Sequence, residues 1–141
     1  MTKPVPNNNM GRMPASSLKI LVVDDDRATL LMLSARLIRE GYRVLTAADG
    51  EEAWAAARRE KPDLVLSDML LPKMDGISLC RMIKADPGLA ATRVILATAV
   101  FKQAAIRAEA RMSGADEFVE KPFGMDALLL KVQSLIGRAE I

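Results

Sequence analysis

Residues 18–26 read LKILVVDDD and residues 63–68 read DLVLSD, two apolar runs that each stop abruptly at carboxylates. A third stretch, residues 118–123 (FVEKPF), ends a short apolar pair on a lysine followed by proline. Read as strands, these runs have the continuous Val/Ile/Leu character of a parallel sheet covered on both faces. Parallel strands bring like ends to one edge. Asp24, Asp25, Asp26, Asp68 and Lys121 would then share a small charged pocket on an otherwise apolar scaffold.

Around these runs the chain alternates regularly. A helix over 27–40 carries Leu30, Leu33 and Leu37 on one stripe and is ended by Gly41. A strand over 43–47 leads to a helix over 50–60, capped by Asp49 and supported by Glu51 and Glu52 in its first turn. After the strand over 64–67, Asp75-Gly76 turns and caps a helix over 77–85, which Asp86-Pro87-Gly88 stops. A strand over 94–98, a helix over 102–113 ended by Gly114, a strand over 117–119 and a helix over 125–136 complete five βα units. The last helix places Met125, Leu128, Leu129, Val132, Leu135 and Ile136 on one face. The alternation predicts an α/β fold with a doubly wound, five-stranded parallel sheet and five helices. Right-handed crossovers put its ligand site at the carboxyl ends of the strands, where the strand order reverses. Residues 1–17 hold three prolines and three consecutive asparagines and read as a disordered tail or linker. Residues 18–139 read as one domain.

Composition narrows the function. Two of the 20 basic residues, Lys3 and Arg12, lie in 1–17, which has no acid, so residues 18–141 hold 18 of each sign and carry no net charge. The aromatic residues (three Phe, Tyr42 and Trp54) are scattered. Neither a basic face nor a stacking platform for nucleic acid is expected. The absence of histidine removes histidine-based catalysis and most zinc sites. Cys80 is the only cysteine, which excludes an intrachain disulfide, fits a reducing compartment and reads as packing. No apolar run approaches membrane-spanning length and the N-terminus lacks a signal-peptide core, so a cytoplasmic protein without membrane contact is expected.

One aspartate is enough to cap a helix, and Asp26 before Arg27 can do so. Three adjacent carboxylates repel one another and call for a countercharge, either a metal or a lysine. Taken alone, the cluster is either a metal site or a solvated turn. Hard oxygen ligands at a strand end suit Mg²⁺. Asp68 and Lys121, at the ends of two further strands, add weight to a site, and Pro122 biases Lys121 to extended geometry while allowing a cis bond. Thr98 ends the fourth strand within LATAV and could offer a hydroxyl to a phosphoryl oxygen.

In these motifs the chain resembles the receiver domain of two-component response regulators, over about residues 18–138. VVDD matches the family's acidic pair at Asp24 and Asp25. LVLSDMLLPKMDG matches the segment around its phosphoacceptor, placing that residue at Asp68. ATA matches the switch hydroxyl at Thr98, and KPF the lysine at Lys121. The resemblance implies the flavodoxin-like, CheY-like strand order 2-1-3-4-5. It implies that Asp68 takes a phosphoryl group from a sensor histidine kinase or a histidine phosphotransfer protein. Mg²⁺ would be held by Asp24, Asp25, Asp68 and the backbone carbonyl of Leu70. It implies further that Thr98 and Lys121 move toward the new phosphoryl group and that Phe118 turns inward. That would alter the surface of the fourth helix, fifth strand and fifth helix for an unknown downstream protein. Such a chain is not an enzyme for other substrates; it catalyses its own phosphorylation and dephosphorylation. The resemblance also allows a homodimer.

The sequence departs from the family pattern in three ways. Phe118 stands where many members have tyrosine. Leu70 and Val100, two residues after Asp68 and Thr98, stand where many carry polar groups that orient the water attacking the acyl phosphate, so slow self-dephosphorylation is expected. The output domain that many members carry is expected to be absent. Among rival readings, a phosphatase of the haloacid-dehalogenase type needs a DxDx[TV] motif, which fails at Ala28. A flavin-binding module needs a hydroxyl-rich loop where Asp24, Asp25 and Asp26 would repel phosphate. A receiver that works only as a phosphorylation-independent interaction module is the remaining rival.

Overall fold

A computed structural model describes residues 18–99 and 104–139. The expected tail (residues 1–17), Val100 and the start of the expected fourth helix at Lys102 lie outside the described residues. Five strands, β1 (Lys19–Val23), β2 (Arg43–Ala47), β3 (Leu64–Asp68), β4 (Arg93–Thr98) and β5 (Glu117–Glu120), alternate with five helices. The helices are α1 (Arg27–Arg39), α2 (Gly50–Glu60), α3 (Gly76–Ala85), α4 (Ala104–Met112) and α5 (Met125–Ile136). All strand pairs are parallel, in the order β2-β1-β3-β4-β5. Where the residues are described, the expected boundaries hold to within one or two residues. Among the described residues the one unforeseen element is a single 3₁₀ turn at Pro87–Leu89, where Asp86 stops α3 and caps the turn by accepting from the Gly88 N–H. Among the described residues no helix is long and apolar enough to cross a membrane.

Strand alternation divides the core into two layers. Ile20 and Val22 of β1 pack with Leu33 and Leu37 of α1 and Leu128 and Val132 of α5. Leu21 and Val23, on the opposite face, pack with Ala53 and Ala57 of α2, Leu79 and Ile83 of α3 and Ala110 of α4. On its buried face α2 carries only Gly50 and alanines (Ala53, Ala56 and Ala57), whereas α5 buries Leu128, Leu129 and Val132. Cys80 belongs to the second layer, buried, with its sulfur 3.6 Å from the Ser113 carbonyl oxygen.

The amino edge of the sheet is pinned by aspartates. Asp63 accepts the Lys19 N–H at 2.8 Å. Asp116 accepts the Val94 N–H at 2.8 Å and the Lys84 ammonium at 2.7 Å, and lies 3.3 Å from Arg93. Burial works to raise the Asp116 pKa, but these donors and the two cations outweigh it and hold the carboxyl below its ordinary value. A carboxyl depressed in the folded state stabilises the fold above its unfolded pKa and loses that contribution as pH falls through the folded value. Asp116→Asn should therefore cost about 1–3 kcal/mol at pH 7. The gap between variant and parent, followed by denaturant titration, should begin to narrow as pH falls below about 4 and go on shrinking through the depressed folded value.

Candidate functional site

The register of the sheet builds the site one residue at a time. Val23 of β1 pairs with Ser67 of β3, so Asp24 leaves β1 level with Asp68. Asp68 pairs with Ala97, and Thr98 ends β4 one step further. Thr98 pairs with Glu120, and Lys121 leaves β5 one step beyond that. The carboxyl edge thus carries Asp24, Asp68, Thr98 and Lys121 on four adjacent strands.

Lys121 holds the carboxylates together. Its Nζ donates to Asp24 Oδ2 at 2.9 Å and to Asp68 Oδ2 at 3.1 Å, although 97 and 53 residues separate the partners. Asp24 is buried, with its backbone N–H on the Ala47 carbonyl at 3.2 Å and its Oδ1 accepting the Asp26 N–H at 2.9 Å. Asp26 is used as the α1 cap, accepting from Ala28 N–H and the Thr29 hydroxyl. Asp25 is exposed, and one carboxylate oxygen from each of Asp24, Asp25 and Asp68 lies within 4.8 Å of the others. Burial raises the Asp68 pKa above its ordinary value, against the pull of Lys121 and the Leu70 N–H. For Lys121, burial works to lower the pKa, but its hydrogen bond to Asp24 and the charge of Asp68 prevail and leave it raised. A raised ammonium pKa keeps Lys121 protonated at neutral pH.

The donor set is all oxygen, which fits a hard cation. Three carboxylates face one ammonium, leaving two negative charges that a divalent ion would balance. Asp24, Asp25 and Asp68 could hold such an ion with carboxylate oxygens, leaving positions for water or substrate. Leu70, exposed in the β3–α3 loop, donates its N–H to Asp68 Oδ1 at 3.3 Å. Thr98 is buried and its carbonyl accepts the Lys121 N–H at 3.1 Å. The Lys121–Pro122 bond is cis. Phe118, on β5, lies three residues before Lys121 and packs against the core layer that contains Leu96 and Ala110. Sequence reasoning missed how closely α3 approaches the site: a Cβ at Gly76 would stand 2.2 Å from the Asp68 carbonyl oxygen, and the Gly76 N–H donates to Met69 O. The Asp75-Gly76 pair signalled a turn there, not a close approach.

Comparison with known proteins agrees with this architecture. The family model of the response regulator receiver domain matches residues 20–133. The chain is 37% identical over 123 residues to the alkaline phosphatase synthesis transcriptional regulatory protein PhoP of Bacillus subtilis, covering 87% of this chain and 50% of that protein. It is 42% identical over 119 residues to the response regulator PleD of Caulobacter vibrioides, covering 84% of this chain and 26% of that one. The chain therefore spans half or less of these relatives. Its fold matches the receiver domain of the Pseudomonas aeruginosa sensor histidine kinase PA1611, whose structure has a magnesium ion coordinated in the active site cleft. That match has a TM-score of 0.78 and 33% identity, over 84% of this chain and 97% of the other. With the family model matched over residues 20–133 and the parallel 2-1-3-4-5 sheet in place, the chain belongs to the response regulator receiver domains.

Proposed function

We propose that this chain is a phosphoryl-accepting signalling switch in which Asp68 is the acceptor. The observation that carries this reading is the Lys121 ammonium, bonded at once to Asp68 and to the buried Asp24. A carboxylate oxygen of Asp68 attacks the phosphorus of a phosphohistidine on a sensor kinase or histidine phosphotransfer protein. The P–N bond breaks as the P–O bond forms, and the imidazole leaves with the electron pair. Little covalent work falls to the protein in such a transfer; positioning and charge neutralisation dominate. Lys121 supplies a fixed positive charge beside the incoming oxygens, and Thr98, at the neighbouring strand end, supplies a hydroxyl. Bound at Asp24, Asp25, Asp68 and the Leu70 carbonyl, Mg²⁺ would neutralise further phosphoryl charge. The chain thus acts on itself only.

The output lies at α4, β5 and α5. Phe118, Phe123, Ala127 and Lys131, from β5, the loop after it and α5, line a shallow cavity of about 350 Å³, and a turning Phe118 would reshape it. Thr98 and Lys121, drawn to the phosphoryl group, would release the space that Phe118 enters. A downstream protein reads the changed surface.

Two measurements test the reading. Incubation with Mg²⁺ and a small acyl phosphate should add one phosphoryl group by intact mass. The gain should vanish with chelator and in Asp68→Ala, and in Lys121→Ala it should slow by on the order of a hundred-fold. Phosphorylation of the Asp68→Ala chain would show that the acceptor is another residue. The second measurement is the lifetime of the product. The exposed apolar side chain of Leu70 offers an attacking water no hydrogen bond, so decay should take minutes or longer, and Leu70→Asn should shorten it. A lifetime of seconds in the parent would contradict this.

A further inference from the structure

The β3–α3 loop, residues 69–75, carries Leu70, and it rests on a part of the fold that contributes nothing to the acidic cluster. Gly50, the first residue of α2, is buried, and its N–H donates to the Pro72 carbonyl at 3.3 Å. A Cβ at this position would stand 2.0 Å from the Met74 carbonyl oxygen and 2.6 Å from Met74 Cβ. Lys73, in the left-handed region at φ 69°, lies 3.6 Å from Asp49, the α2 cap. At the other end of the loop Gly76 packs on the Asp68 carbonyl. The loop is therefore seated between the first turns of α2 and α3.

The atom against Gly50 is backbone, so no rotamer change relieves an added methyl. Ordinary Cβ contacts begin near 3.4 Å, and the loop would have to shift by more than an ångström to reach that distance. Mg²⁺ tolerates such shifts poorly, because it demands near-octahedral oxygen ligands at about 2.0–2.1 Å.

We propose that Gly50 is a positioning residue for the cation site: it seats the β3–α3 loop through Pro72 and Met74 so that the Leu70 carbonyl is presented beside Asp24, Asp25 and Asp68. The inference rests on the reading of that cluster as a Mg²⁺ site. Gly50 touches neither cation nor phosphoryl group and acts only through the loop.

Titration calorimetry with Mg²⁺ alone tests this on the parent chain, Gly50→Ala and Gly124→Ala, beside circular-dichroism melts in chelator. Gly124 precedes α5 and nothing lies within 4 Å of a Cβ built there, so the same substitution meets open space. Gly50→Ala should keep a cooperative melt and bind Mg²⁺ about ten-fold or more weakly, as expected for loss of a group that orients a ligand. Gly124→Ala should bind like the parent. Parent-like binding by Gly50→Ala overturns the inference and leaves the Mg²⁺ reading standing. A parent chain that binds no Mg²⁺ removes both. If Gly50→Ala does not fold, amide hydrogen exchange of the parent decides. Saturating Mg²⁺ should slow exchange at Gly50 several-fold and leave Gly124 unchanged, and an unchanged rate at Gly50 overturns the proposal.

Discussion

A parallel sheet covered on both faces has room for charge only at the ends of its strands. Ile20, Leu21 and Val22 of β1 and Leu64 and Val65 of β3 have no exposed surface at all, and an ionised side chain among them would cost several kcal/mol. Every acidic group that the central strands carry is therefore displaced to one edge or the other. The two edges treat the same residue type differently. At the amino edge Asp63 and Asp116 each meet a backbone N–H of a strand, and Asp116 meets two cations as well. Those carboxylates are satisfied and act as staples.

At the carboxyl edge the balance is left open. Asp24 and Asp68 share the single ammonium of Lys121, and Asp25 stands beside them. Removing one member of such a partly buried group strands the others without a countercharge, which is costlier than the worth of any one contact. An edge with surplus negative charge is poised to take up cationic or electrophilic partners. Taking up such a partner would change the local charge in a step, which is what the proposed phosphoryl switch requires.

The elements were largely legible in the sequence because each carries its own punctuation. Asp26, Asp49 and Asp75 accept from the first-turn N–H groups of α1, α2 and α3, as their positions before apolar periodic runs suggest. Gly41 and Gly114, both at positive φ, follow the helices they end. The stripe of α1 was equally plain: Leu33 and Leu37 are buried, while Leu31, Met32 and Ile38, no less apolar, point outward. The Asp24–Asp68–Lys121 constellation was legible as residue types at strand ends. Its assembly into one site needed the strand order, which came from resemblance and not from the residues themselves.

By itself the sequence determined the local structure, the two-faced burial of β1 and β3 and the displacement of charge to strand ends. These depend on periodicity, capping and the cost of burying charge, all of which act within a few residues. Only the tertiary structure decided the contacts that depend on distance in space between segments remote in the chain. Among these are Lys121 between Asp24 and Asp68, Asp116 against Lys84 and Val94, and Gly50 beneath Met74. Nothing in the local pattern at Gly50 marks it as more than the first residue of a helix. Its lack of a side chain acquires meaning only when β1 and β3 pair and set α2 against the β3–α3 loop.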